Sequence, residues 1–170
     1  MSTYRYAAYG SNLHPLRLGR RTPSARHLGP AYLSDWGMYF HKRSDVDGSG
    51  KCTISRGSEG VHFAVYEIEK VEKPLLDAIE GLGKGYDELT VRLPDYGDCQ
   101  TYIAQDHVLD PTLEPMDWYK ELVLLGCRAN GFPDSYRRRI DALPSIVDPD
   151  VERWREQWQL IEGFINGAER

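Results

Sequence analysis

The sequence is short of cysteine, of net positive charge and of long apolar runs, and each shortage closes off a class of function. Its three cysteines, Cys52, Cys99 and Cys127, are odd in number, widely spaced and form no C-x-x-C pair. That excludes a disulfide framework and a cysteine-based zinc site, and leaves buried free thiols as the expectation. The histidines, His14, His27, His41, His62 and His107, show no H-x-x-x-H spacing, so no metal is expected. Acidic residues outnumber basic ones, 26 to 21, for a formal charge of -5. A chain of that balance has no general attraction for nucleic acid or anionic lipid. No apolar stretch reaches the roughly 18 residues a membrane span requires, and residues 1–10 lack the basic end, apolar core and cleavage site of a signal peptide. A cytoplasmic protein acting on small molecules is the expectation. At 170 residues the chain suits a single domain, residues 1–170, with a real core.

The pattern along the chain predicts a strand-rich first part and a helical last part. Tyr4 to Ala8 reads as a short strand broken at Gly10-Ser11-Asn12. Ser11 or Asn12 is placed to cap a short helix over Pro15 to Arg20. Residues 31–33, 36–41, 53–54 and 61–68 are apolar or β-favouring runs separated by Gly, Ser and Asp, which predicts antiparallel strands. A helix is predicted over Glu69 to Gly81, with Val71, Leu75, Leu76 and Ile79 on one face and Gly81 stopping it. Leu89 to Leu93 and Cys99 to Ala104 then form a hairpin around Pro94 to Asp98. Three helices follow over Met116 to Ala129, Pro133 to Leu143 and Asp148 to Phe164. The last carries an apolar stripe of Val151, Trp154, Trp158, Ile161 and Ile165.

Two features can carry chemistry. Tyr9-Gly10-Ser11-Asn12-Leu13 sets a glycine and two small polar residues directly after a strand, where successive backbone N–H groups can converge on a carboxylate. The same residues also suit an ordinary strand-to-helix connection. Glu80 lies at the predicted helix end, beside the negative pole of the helix dipole. That position draws a carboxylate toward protonation, the condition for accepting and returning a proton near neutral pH. Alone, Glu80 is also readable as one solvated acid among many. Glu80 to Tyr86 mimics a phosphate loop, but it follows a helix and lacks Ser or Thr after Lys84. Ser11 sits in no G-x-S-x-G elbow and is no nucleophile. Cys127, beside Leu124 and Leu125, reads as packing.

Together, Tyr6-Ala7-Ala8-Tyr9-Gly10-Ser11-Asn12-Leu13, Leu76-Asp77-Ala78-Ile79-Glu80-Gly81 with Gly85-Tyr86, and Trp118-Tyr119-Lys120 with Gly126 to Pro133 resemble the γ-glutamylcyclotransferase family over most of the chain. Y-G-S-N and the E-G pair are the specific parts. The resemblance implies an α+β fold, a small barrel-like mixed β-sheet with flanking helices and a cavity at one end. It implies a cofactor-free enzyme that releases 5-oxoproline from γ-glutamyl amino acids or γ-glutamyl amines. Glu80 would be the general acid/base, and the substrate would rest on Tyr6, Ala7, Ala8, Tyr9, Gly10, Ser11, Asn12, Leu13, Tyr86, Tyr102 and Tyr119. Tyr86 directly follows Gly85, whereas some family members place a residue between. The alternative is a binding module that holds an amino-acid-like anion on the Tyr9 to Leu13 loop without turnover.

Overall fold

A computed structural model describes residues 1–168. Five strands form one mixed sheet in the order β2-β5-β1-β7-β6, comprising Arg26–Leu33, Val61–Glu69, Thr3–Ala8, Gly97–Ala104 and Tyr86–Leu93. β3 (Trp36–Arg43) and β4 (Gly50–Arg56) make a separate antiparallel hairpin. The sheet does not close, so the expected barrel is in fact an open mixed sheet with a hairpin laid beside it. Closure would require continuous pairing around the strand edges, and β3 and β4 pair with each other instead.

β1 is central, antiparallel to β5 and parallel to β7 through Tyr6 and Gln100. Central position explains β5, whose residues from Phe63 to Tyr66 are all buried: a strand covered on both faces loses the alternation of a half-exposed one. Two other strands are longer than their apolar runs suggest. β2 begins at Arg26 and passes a register shift between His27 and Gly29, while β6 begins at Tyr86.

The helices are α1 (Pro15–Arg21), α2 (Lys73–Glu80), α3 (Asp117–Ala129), α4 (Asp134–Asp141) and α5 (Val151–Ala168). None is long and apolar enough to cross a membrane. Neither Ser11 nor Asn12 caps α1. His14 does, its Nδ1 accepting from the Leu16 amide at 3.2 Å, which releases Asn12 for another task.

The predicted helix over Glu69 to Gly81 is shorter than its pattern. β5 runs on to Glu69 and a 3₁₀ turn takes Lys70–Glu72, so α2 starts only at Lys73. This late start sets the helix phase. Leu76 alone is fully buried, whereas Val71, Leu75 and Ile79 are exposed. Glu80 lies four residues after Leu76, and residues at that spacing share a helix face. The carboxylate therefore follows Leu76 inward. Gly81 ends the helix at φ 79°, and the Gly81 and Leu82 amides both donate to the Asp77 carbonyl; a side chain at this left-handed position would be strained.

α5 packs on the core through Ile161 and Phe164, with Trp154 and Trp158 partly buried, while Val151 and Ile165 are exposed. The buried stripe is thus rotated from the one the sequence predicts. α3 is the best covered helix, burying every residue from Leu122 to Cys127.

Candidate active site

A cavity opens where the end of β1, the α2 terminus, β4, the start of β6, β7 and α3 converge. Its lining is Tyr6, Tyr9, Gly10, Ser11, Asn12, Cys52, Glu80, Tyr86, Tyr102 and Tyr119. It is narrow, with about 20 Å³ open to a water-sized group. The structure thus brings Glu80 together with eight of the sequence-expected binding residues. Ala7, Ala8 and Leu13 do not line it. They are fully buried, and their contribution is to the scaffold.

The Tyr9 to Leu13 loop is fixed from below. The Leu13 carbonyl accepts from Tyr66 Oη at 2.7 Å and from Asn130 Nδ2 at 2.8 Å. Asn130 also donates to the Gly126 carbonyl at 2.7 Å, tying the loop to the end of α3. A Cβ on Gly126 would collide with Leu13 Cβ and lie 3.1 Å from the His14 amide nitrogen. Gly126 therefore allows helix and loop to touch backbone to backbone.

The loop itself is a turn in which the Leu13 amide donates to the Gly10 carbonyl at 3.2 Å. Gly10 is not in the left-handed region, so its backbone conformation does not require a glycine. A Cβ would sit 2.8 Å from Cys52 Cβ; the glycine permits close approach to β4. Among the described residues, the Ser11 and Asn12 amides have no backbone partner.

Glu80 is held by two donors on one oxygen. Asn12 Nδ2 lies 2.7 Å and Arg21 Nη1 3.0 Å from Oε1. Arg21 also donates to Asn12 Oδ1 at 2.9 Å, and Asn12 Nδ2 lies 3.1 Å from Tyr6 Oη. Among the described residues, the other carboxylate oxygen accepts from no protein donor. The Arg21 guanidinium thus stands beside the Glu80 carboxylate at the end of the helix. An isolated arginine at a helix end carries no motif, so only the fold discloses Arg21. Its place in the last turn of the helix that follows Y-G-S-N is the available signal.

Four of the tyrosines are bonded in place. Tyr9 Oη donates to the Tyr102 carbonyl at 2.6 Å, Tyr86 Oη to the Cys52 carbonyl at 2.7 Å, and Tyr102 Oη to Asp77 Oδ1 at 2.7 Å. Tyr119 Oη accepts from the Cys52 amide at 3.1 Å. Burial first, with nearby Glu80 adding to it, pushes the Tyr6, Tyr9, Tyr86 and Tyr119 hydroxyls well above the usual phenol range. They stay protonated and act as neutral donors. Cys52, which no cysteine pattern marks as a wall residue, is pushed up to about 12 by burial, so its thiol is neutral and packs rather than attacks. Cys127 is likewise buried and raised to about 12 by burial. Among the described residues, no three His, Cys, Asp or Glu side chains gather as a metal site.

This combination of a carboxylate, a turn with free amides and neutral hydroxyls can bind a small zwitterion and move a proton without an enzyme nucleophile. The AIG2-like family model matches residues 60–140. The γ-glutamylcyclotransferases of Mus musculus and Homo sapiens are each 30% identical over 152 residues, spanning 83% of this chain and 79% of theirs. A solved γ-glutamyl cyclotransferase superposes with a TM-score of 0.76 at 26% identity, covering 89% of this chain and 97% of that one. The chain is an enzyme of the γ-glutamylcyclotransferase family.

Proposed function

We propose that this enzyme releases 5-oxoproline from γ-glutamyl compounds by ring closure of the substrate on itself, with Glu80 as general acid/base. The observation that carries the reading is the meeting of Glu80 and the Tyr9 to Asn12 turn across one narrow cavity. The α-carboxylate of the γ-glutamyl group docks on the Ser11 and Asn12 amides, and the α-amine then faces Glu80. That amine is largely protonated at neutral pH, with an ordinary pKa near 8.

Glu80 takes one proton from the ammonium. The amine lone pair attacks the substrate's own γ-carbonyl carbon, forming the C–N bond of a five-membered ring and placing negative charge on the carbonyl oxygen. Collapse breaks the original amide bond as Glu80 returns the proton to the departing nitrogen, and the second proton that the ring nitrogen sheds in becoming the lactam N–H is taken by the freed amine, which leaves as an ammonium. Atoms balance without water or cofactor: one γ-glutamyl amide gives 5-oxoproline and one amine. Folding the chain so that amine and carbonyl sit about 3 to 3.5 Å apart supplies the large rate advantage of an intramolecular reaction. The neutral Tyr6 and Tyr119 hydroxyls, which accept from Asn12 and the Cys52 amide and keep their own hydrogens, are donors for the developing oxyanion.

The test is chromatography of purified protein incubated with γ-glutamyl dipeptides and γ-glutamyl amines. Equimolar 5-oxoproline and free amine are expected from at least one. Glutamate in place of 5-oxoproline would identify a hydrolase, and binding without any product would identify the non-catalytic module.

A further inference from the structure

A histidine that no spacing pattern marks touches both of the groups that hold the end of the Tyr9 to Leu13 loop. His27 of β2 is exposed and stands outside the cavity. Its Nε2 lies 2.8 Å from Asn130 Oδ1, and its ring packs on Tyr66 with the centroids 5.1 Å apart. Asn130 Nδ2 and Tyr66 Oη are the two donors to the Leu13 carbonyl. Leu13 in turn closes the loop, with its amide on the Gly10 carbonyl and its side chain fully buried. The residue that follows Ser11 and Asn12 is thus held at both of its backbone groups, and His27 contacts both donors to its carbonyl.

The direction of the His27 bond follows from the other contacts of Asn130. Its Nδ2 donates to the Leu13 carbonyl at 2.8 Å and to the Gly126 carbonyl at 2.7 Å, so both amide hydrogens are engaged. Reversing the amide would set Oδ1 against two carbonyl oxygens. Oδ1 therefore faces His27, and because it only accepts, His27 Nε2 carries the hydrogen. The terminal torsion of an asparagine is soft, and this donor is what opposes its rotation from the far side.

β2 departs from regular pairing to deliver the ring. His27 pairs with Tyr66 and Gly29 with Val65, which leaves Leu28 as an extra residue between them. Such bulges re-aim side chains and are over-represented beside active sites. Gly29 completes the irregularity at φ +148°, where a Cβ would collide with Tyr96 Oη.

We propose that His27 is a positioning residue which, acting through Asn130 and Tyr66, fixes the Leu13 carbonyl and thereby the direction of the Ser11 and Asn12 amides. The inference rests on the cyclotransferase reading above, since those amides matter to turnover only if they take the substrate α-carboxylate. Without the donor the Asn130 amide is free to turn, and the Leu13 carbonyl keeps Tyr66 alone. The carboxylate is bound alike before and during ring closure, so the loss falls on KM.

The experiment compares His27→Phe, which keeps a ring on Tyr66 but cannot donate, with His27→Gln, whose amide nitrogen restores a donor. In 5-oxoproline release, His27→Phe is expected to raise KM by about 3- to 10-fold with kcat within about twofold, the range of one hydrogen bond. His27→Gln should recover most of that loss. In the double variant His27→Phe/Asn130→Ala, KM should match that of Asn130→Ala alone, because residues acting in one chain of contacts are not additive. A wild-type KM in His27→Phe overturns the assignment, as does a double variant whose KM rises by the product of the two single effects. The Ser11 and Asn12 amide cross-peaks of isotope-labelled protein read the loop without turnover. They should shift in His27→Phe and return toward wild type in His27→Gln; peaks that stay in place overturn the positioning role. Failure of the wild type to release 5-oxoproline from any γ-glutamyl compound refutes the cyclotransferase reading, while the cross-peaks still decide whether His27 sets the loop.

Discussion

At the scale of single residues, the site depends on two glycine-sized gaps and on one oxygen of Glu80. Gly10→Ala puts a methyl group 2.8 Å from Cys52 Cβ, and β4 must yield or the turn must lift. The expected result is a loss of about 1–3 kcal/mol in denaturant unfolding, with a raised KM because the Ser11 and Asn12 amides move with residue 10. A variant as stable and as active as wild type would show that the close approach is unimportant. Arg21 bonds both Asn12 and Glu80 but does not line the cavity, so its role is positioning. Arg21→Met is expected to lower kcat by about tenfold or more while changing KM little, with partial recovery in Arg21→Lys. Steady-state kinetics of the two variants decide it, and a change confined to KM would assign Arg21 to ground-state binding.

At the scale of elements, the contact of α3 with the Tyr9 to Leu13 loop is the join on which the geometry rests. Gly126→Ala drives a methyl group into Leu13 Cβ and toward the His14 backbone. The cost should be about 1–3 kcal/mol, and because misplacement by about 1 Å can cost 10²-fold in rate, kcat should fall more than stability alone explains. Thermal melting read beside kcat separates the two effects; unchanged kcat would mean the loop does not transmit the displacement. The segment before α5 offers a pH test. Asp148 accepts from Trp118 Nε1 at 2.8 Å and from Arg153 Nε and Nη2, each at 2.6 Å. The Arg153 hydrogen bonds foremost hold its carboxyl down to about 2. A depressed folded value means stability that is full above the ordinary 3.8 and lost as pH falls through about 2. Its size is about 1–2 kcal/mol once solvent around Arg153 is allowed for. Asp148→Asn should therefore melt lower than wild type at pH 7, and the gap should narrow toward pH 2. A constant gap would assign the effect to the Trp118 contact alone.

At the scale of the whole molecule, what was legible in the sequence was local. The Y-G-S-N turn, the helix stop at Gly81 and the Tyr119 helix each depend on nearby residues, and each lies where its pattern places it. What depends on distant partners was not legible. The order β2-β5-β1-β7-β6 reflects pairing between segments far apart, so hydrophobic periodicity could not distinguish an open sheet with a separate hairpin from a barrel. Arg21 and Cys52 approach Glu80 only after folding. The phase of α2 is the most instructive case. Its apolar pattern suggests a face of Val71, Leu75, Leu76 and Ile79, yet the extension of β5 to Glu69 delays the helix and turns Leu76 inward, with Glu80 one turn beyond it.

The central claim is that Glu80 moves protons while the loop and tyrosines hold the substrate, and these functions separate in Glu80→Gln. Glutamine keeps the size and the contacts to Asn12 and Arg21 in reach but cannot take the proton. The direct measurement is 5-oxoproline release by Glu80→Gln beside calorimetric titration of the same protein with the substrate that wild type turns over fastest. The expected result is a kcat lowered by about 10²- to 10⁴-fold with a dissociation constant within about tenfold of wild type. A Glu80→Gln enzyme that keeps wild-type kcat would contradict the account.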